Sequence, residues 1–259
     1  MNKLYILPFD HRSSFEKVIP DPEKIKEAKW MIYQAFLKVR ENYADKEALG
    51  ILVDNTYGSA VLTDAKEKGI RRLTPIEKSG QTVFDFEWEN WQEMIKMINP
   101  DMVKVLVRYN PVPEEKESNE LQLNRLEQLS KFCEENNKPF LFELLTGEAH
   151  KTALAISEIR PRLKVAIWKL EGVEIGQWEE VLAQTQDDKI VFLGRGENDE
   201  KVTEWMSEAK KYPQIIGFAI GRTIFLQPIK DFAAGIMTKE EAIDKIATNY
   251  QSWIDRWEK

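Results

Sequence analysis

The chain has 259 residues, 42% of them hydrophobic and 31% charged, with eight tryptophans and twelve phenylalanines; this composition fits a folded globular protein and argues against the disordered, fibrous and membrane-spanning classes. Its 37 basic and 44 acidic residues leave a formal charge of −7, too acidic for a broad nucleic-acid-binding face yet compatible with a small basic pocket for an anionic metabolite. One cysteine, Cys133, and two histidines, His11 and His150, argue against a disulfide framework, a zinc ribbon or a histidine-rich zinc site.

In chain order, one unit recurs: a short apolar run, a polar turn, then an amphipathic stretch. The first run, Leu4–Phe9, leads into the polar cluster Asp10-His11-Arg12-Ser13-Ser14. It is too short for a secretory signal, and no later run approaches the roughly 18 residues of a membrane span, so a cytoplasmic location and no membrane partner are expected. Asp21-Pro22-Glu23 then marks a helix start, an N-cap followed by proline at the first helical position. Trp30, Ile32, Tyr33, Phe36, Leu37 and Tyr43 continue it as a helical stripe. Leu49–Val53 is the second strand and Leu73–Ile76 the third, which leads into Glu77-Lys78-Ser79-Gly80-Gln81. Met102–Val107 is the fourth, followed by a polar stretch, Pro111–Asn119, expected to be a long loop. Leu121, Leu126, Leu129, Phe132 and Cys133 mark a helix that ends before Pro139. Pro139–Leu145, Val165–Leu170, Ile190–Leu193 and Ile215–Ile220 complete the strands. A short helix is expected near Thr223, and Thr238-Lys239-Glu240-Glu241 forms a capping box for a last helix reaching Trp257. Trp253 and Trp257 on that helix have two readings, a homo-oligomer interface or packing against the body of the protein.

Runs this short and apolar are strands buried on both faces. Alternating with single helices, they imply right-handed βαβ crossovers, and eight such units fit a single (β/α)₈ barrel spanning 1–259, with a doubly wound open sheet as the rival. Barrel chemistry sits at the C-terminal strand ends, which here carry Asp10, Asp54, Glu77, Arg108, Glu143, Lys169 with Glu171, Arg195 and Arg222. Charge by itself proves little, because Lys3, Arg71, Asp101, Lys138, Lys164 and Lys189 mark the opposite ends. Position says more: Lys104, Glu143 and Lys169 lie inside apolar runs, where a charge is rare unless paired or used. A desolvated lysine beside another cation loses its proton more readily and becomes a nucleophilic amine; the alternative is a structural Lys169–Glu143 pair between neighbouring strands. Gly194-Arg195-Gly196 and Gly221-Arg222 close the last two strands, where glycines and a helix start suit an anion. The sequence lacks a full dinucleotide fingerprint and a Walker-type loop, which disfavours nicotinamide and P-loop chemistry.

Taken together, FDHRSSF, PIEKSGQ, VKVLVRYNP, LFELL, WKLEG, LGRG and GFAIGRTIF resemble the domain of unknown function 2090 family, a bacterial group often fused to the C-terminus of 5-dehydro-2-deoxygluconokinase in inositol breakdown. That family resembles a branch of the class I aldolase superfamily, with tagatose-1,6-bisphosphate and sulfofructosephosphate aldolases. The resemblance implies a Schiff base on Lys169 with Lys104 as a second lysine, proton transfers by Asp10 and Glu143, and a phosphate held by Gly194, Arg195, Gly196, Gly221 and Arg222. His11, Arg12, Glu77, Lys78, Gln81, Arg108 and Glu171 are candidates for contacting the rest of the substrate. The sugar-bisphosphate relatives usually have Asp-Gln-Arg where this chain has Asp10-His11-Arg12. The activity implied is cleavage of a phosphorylated keto sugar or keto sugar acid to dihydroxyacetone phosphate and an aldehyde, with no cofactor or metal; 5-dehydro-2-deoxygluconate 6-phosphate is the favoured substrate. Two alternatives stand beside it: a divalent-metal-dependent aldolase or isomerase using Asp10, Glu77, Glu143 and Glu171, and a non-catalytic sugar-phosphate-binding domain.

Overall fold

The computed structural model describes residues 3–172 and 177–259. Met1 and Asn2, which precede the first apolar run, lie outside them. Eight strands, β1 (Leu4–Pro8), β2 (Leu49–Leu52), β3 (Arg71–Pro75), β4 (Met102–Arg108), β5 (Phe140–Leu145), β6 (Ile167–Glu171), β7 (Lys189–Leu193) and β8 (Ile215–Ala219), pair in sequence order. All the pairings are parallel, and β8 returns to β1 to close a barrel. The closed (β/α)₈ barrel is therefore the fold, and the open-sheet rival is excluded by the β1–β8 ladder.

Among the described residues ten α-helices accompany the strands: α1 (Ser13–Val18), α2 (Pro22–Asn42), α3 (Asn55–Glu67), α4 (Trp91–Ile98), α5 (Lys116–Glu135), α6 (Thr152–Ile159), α7 (Gln177–Thr185), α8 (Asp199–Ala209), α9 (Arg222–Ala233) and α10 (Lys239–Glu258). Asp21 caps α2 by accepting from Glu23 N, and Thr238 with Glu241 completes the capping box of α10. Three sequence expectations change. Pro111–Asn119 is a shorter loop than its polarity implies, because a 3₁₀ turn at Pro113–Glu115 leads straight into α5; acidic residues ahead of a helix favour its positive end. The polar cluster behind β1 contains a helix of its own, α1, and α9 runs twelve residues despite Pro228 inside it. Trp253 and Trp257 pack within the chain, Trp257 stacking on Phe192 at 5.8 Å. No helix of the described residues is long and apolar enough to cross a membrane.

Side chains alternate across a strand, which here makes two cores. Outward residues such as Tyr5, Val103, Val105, Phe142, Trp168 and Phe218 join the helices in the larger one. Inward residues Leu4, Ile6, Leu52, Leu73, Met102, Leu141, Ile167, Val191, Ile216 and Ala219 fill the barrel's lower interior. Two residues further along the same strand faces, Met102, Leu141 and Ile167 give way to Lys104, Glu143 and Lys169. The strand period that builds the dry core thus delivers the charges above it.

Candidate active site

Lys104 is the centre of the charged layer. Its ammonium lies 2.9 Å from Asp10 Oδ2, 2.7 Å from Glu77 Oε1 and 3.0 Å from Glu143 Oε2. Glu143 stands opposite Lys169 in the β5–β6 register, and the same Oε2 is 2.8 Å from Lys169 Nζ. One carboxylate oxygen therefore serves two ammonium groups. All five side chains are buried, Lys104 at 1% exposure and Lys169 at 4%. The expected Lys104–Lys169 proximity is met through Glu143, and the structural Lys169–Glu143 pair is also present.

Burial raises the Asp10 and Glu143 carboxyls, but Lys104 and Lys169 outweigh it and hold both below the usual carboxylate range. Glu77 moves the other way: burial, aided by Asp10, overcomes the attraction of Lys104 and raises it. Glu171 is likewise raised by burial, against Arg195 and with Glu143. Burial would strip Lys104 of its proton, yet Asp10, Glu143 and Glu77 keep its pKa well above that of a free lysine. Lys104 is thus a fixed cation. Lys169, with a single carboxylate partner, lies in the wall of a cavity of about 140 Å³ together with Lys104, Asp10, His11, Glu77 and Glu143.

The β1 loop supplies Asp10, His11 and Arg12. His11 lies in the same wall, and burial, with Arg222 and Lys169 opposing Asp10, lowers its pKa to about 4. Its Nδ1 is buried without a hydrogen-bond partner. Arg12 is 6% exposed, donates to Glu77 O at 2.6 Å and pairs with Glu87 at 2.9 Å, so it ties the β1 and β3 loops. Lys78 lines the cavity but pairs with Asp85 at 2.8 Å. Gln81 accepts from Asp85 N at 2.6 Å through Oε1, which fixes the β3 loop, while its Nε2 is buried without a hydrogen-bond partner.

Arg108, exposed at the end of β4, borders both this cavity and a neighbouring one of about 650 Å³. Glu171, Arg195 and Arg222 line the larger space. Ligand pockets usually hold about 300–1,000 Å³, so the small cavity suits only the reacting end of a molecule and the large one suits the remainder. Arg195 and Gly196 both have positive φ, 53° and 81°, in a turn closed by Glu197 N donating to Gly194 O at 2.9 Å. Arg195 holds Glu171 at 3.0 Å, while Arg222 donates to Arg195 O at 2.6 Å and lies against Gly196, where an added Cβ would meet it at 2.8 Å. At Gly221 an added Cβ would fall 2.2 Å from Pro8 O, so the start of α9 approaches β1 only with glycine there. The β7 and β8 loops thus meet around two arginines.

A metal site is not formed by these carboxylates: among the described residues no group of three or more His, Cys, Asp or Glu side chains converges to hold an ion. Asp10, Glu77 and Glu143 converge instead on Lys104, and Glu171 on Arg195. Sequence reasoning missed Lys29. It is fully buried, pairs with Asp54 and donates to the carbonyls of Phe9 and His11 at 2.8 and 2.9 Å. Its signal was a lysine within the apolar stripe Ile25, Lys29, Ile32, Phe36 of α2.

The family model described as an uncharacterized protein conserved in bacteria (DUF2090) matches residues 1–259. No curated protein matches the sequence. The chain is similar to the structure of Cgl0159 from Corynebacterium glutamicum, at 14% identity and a TM-score of 0.63, with 97% of this chain and 86% of that one covered. It is more distantly similar to N-acetylneuraminate lyase from Mycoplasma synoviae, at 14% identity and a TM-score of 0.49, with 87% and 74% covered. At such identities the likeness is one of fold and carries no chemistry.

Proposed function

The chain belongs to the DUF2090 family, and from that premise we propose that it is a class I, Schiff-base aldolase of the cytoplasm. Its substrate is a phosphorylated keto sugar or keto sugar acid, favoured 5-dehydro-2-deoxygluconate 6-phosphate, cleaved to dihydroxyacetone phosphate and an aldehyde. The observation that carries the reading is the unequal pair of lysines on Glu143: both line the cavity, but Lys104 is held by three carboxylates whereas Lys169 has one. An amine nucleophile must be free to leave its partners for a carbonyl carbon, and Lys169, with one carboxylate partner, is less tied than Lys104 with three.

In the proposed reaction Lys169 Nζ attacks the ketone carbon. Its nitrogen gives one proton to the former carbonyl oxygen, a carboxylic acid gives a second, and water leaves to form the iminium. As the hydroxyl on the carbon β to the iminium loses its proton to a carboxylate, the electron pair of the bond between the α and β carbons moves into the iminium, the aldehyde departs and an enamine remains. Protonation at the α carbon and hydrolysis free the amine and dihydroxyacetone phosphate. Glu143 and Asp10 move protons around the carbinolamine, and Lys104 balances their charge. Glu77, raised by burial while Asp10 and Glu143 are lowered, takes up a proton more readily than either of them. Gly194, Arg195, Gly196, Gly221 and Arg222 take the phosphate; His11, Arg12, Lys78, Gln81, Arg108 and Glu171 orient or bound the remaining chain.

Borohydride reduction with dihydroxyacetone phosphate tests this directly. The expected result is a covalent adduct located on Lys169 by peptide mass analysis. An adduct on Lys104, or none at all, overturns the assignment; phosphate-dependent thermal stabilisation without turnover would instead favour a binding domain.

A further inference from the structure

We infer that Lys29, on α2 and outside the barrel, is a positioning residue that sets Asp10 and His11 in the site; this rests on reading the lysine–carboxylate cluster as the reacting centre. A lysine ammonium has three N–H donors. Here they meet Asp54, Phe9 O at 2.8 Å and His11 O at 2.9 Å, with the rings of Phe15 and Tyr57 at 5.1 and 5.8 Å closing the slot. The two carbonyls flank Asp10 on either side. Strand pairing of β1 extends no further than Phe9 N donating to Leu52 O, and the bonds of α1 begin at Arg12 O. Between those points Lys29 supplies the tie that holds the backbone of Asp10, whose carboxylate reaches Lys104 at 2.9 Å.

A simple structural pair needs less. Asp54 already accepts from Tyr57 N at 2.8 Å as the cap of α3, so one further donor would satisfy it. Burying an ammonium completely is costly unless each of its donors is met. Lys29 directs its two remaining donors to the turn that carries Asp10 and His11. A misplacement of about 1 Å in a reacting group can cost on the order of 10²-fold in rate, so a tie of this kind acts on turnover more than on binding.

The test is the paired variant Lys29→Met/Asp54→Asn, which removes both buried charges while Asn keeps the α3 cap. With the melting temperature preserved, amide hydrogen exchange over residues 10–14 should quicken about tenfold or more. With a ketose phosphate substrate, kcat should fall on the order of 10²-fold and KM change much less. Unchanged exchange and kcat at an unchanged melting temperature overturn the inference. If that pair does not fold, Lys29→Gln/Asp54→Asn returns N–H donors to the slot without charge. Exchange and kcat within about tenfold of the parent then support the tie, and losses on the 10²-fold scale overturn it, as does failure of both pairs to fold. A parent that forms no adduct on Lys169 refutes the functional reading instead, and the exchange measurement still decides the role of Lys29.

Discussion

The lower and upper halves of the barrel interior are built from the same strand faces two residues apart, yet they obey opposite energetics. Below, Met102, Leu141 and Ile167 belong to a dry cluster; burying an aliphatic side chain of that kind contributes about 1.5–3 kcal/mol. Above, Lys104, Glu143 and Lys169 are almost equally buried, and the desolvation of such charges roughly cancels or exceeds their mutual attraction. A barrel needs only the lower kind of layer to stand. The upper one fits the proposed chemistry, and on that reading Lys169 in particular should separate activity from stability.

The largest separation is expected at Lys169. Lys169→Met removes the amine, and kcat should fall on the order of 10³-fold or more. Stability should change little, because Glu143 keeps Lys104 at 3.0 Å. Steady-state assay and thermal melting of one preparation test both halves; retained turnover would break the contrast between the layers.

Lys104→Met attacks the same layer differently, leaving Asp10, Glu77 and Glu143 without their shared cation. Breaking such a buried cluster costs about 3–5 kcal/mol at neutral pH. The pH dependence should also reverse. In the parent, Asp10 and Glu143 are depressed, so their contribution is present above the unfolded carboxyl range, about pH 4, and lost as pH falls through their native values. In the variant, burial is opposed only by Lys169 and, at Asp10, by His11, and it lifts them above that range. A raised carboxyl stabilises the fold below its unfolded pKa and loses that contribution as pH rises through its folded one. Urea unfolding should then find the variant more stable at pH 5 than at pH 7; the opposite order refutes the account.

The layers were legible because strand periodicity is local. Lys104, Glu143 and Lys169 stood out as charges inside apolar runs, and the strand ends shifted by only one or two residues, as at Arg71. What Lys104 touches was not legible, since its three carboxylates come from β1, β3 and β5 and meet only after the barrel closes. Arg12 and Gln81 stood out by position, but the partners that hold them, the Glu77 carbonyl with Glu87 and Asp85 N, were not legible. Lys29 was hidden for another reason: a helix stripe tolerates a lysine whose head reaches water, and nothing in α2 itself reveals that the head is enclosed. The division of roles among the site lysines and carboxylates came from the family resemblance, not from spacing.

The lower layer supplies the converse. Leu141→Ala opens a cavity beneath Glu143 in the middle of the interior cluster, and such truncations cost about 2–5 kcal/mol. Activity per folded molecule should remain within a few-fold of the parent, measured at a temperature where both are native. A loss of turnover as large as that of Lys169→Met would mean that the layers are mechanically coupled and that the division drawn between them fails.

The smallest effect is expected at His11, where the upper layer keeps an imidazole neutral rather than a carboxylate charged. Burial, then Arg222 and Lys169, lower its pKa to about 4 against the pull of Asp10 and Glu143, while the unfolded chain titrates near 6.5. The neutral form is favoured in the fold, so this contribution is present above the unfolded pKa and lost as pH falls toward the folded one. His11→Gln removes that loss while keeping a neutral donor and acceptor. Between pH 7 and 5 the parent should lose about 1 kcal/mol relative to the variant, allowing for the ring's partial exposure, or about 2–4 °C in Tm. His150, on the surface at 65% side-chain exposure, is common to both proteins and cancels in the difference. Parallel Tm curves across that window would mean that His11 takes up its proton as readily in the fold as outside it, and that its place among Asp10, Lys169 and Arg222 exerts no net control on its charge.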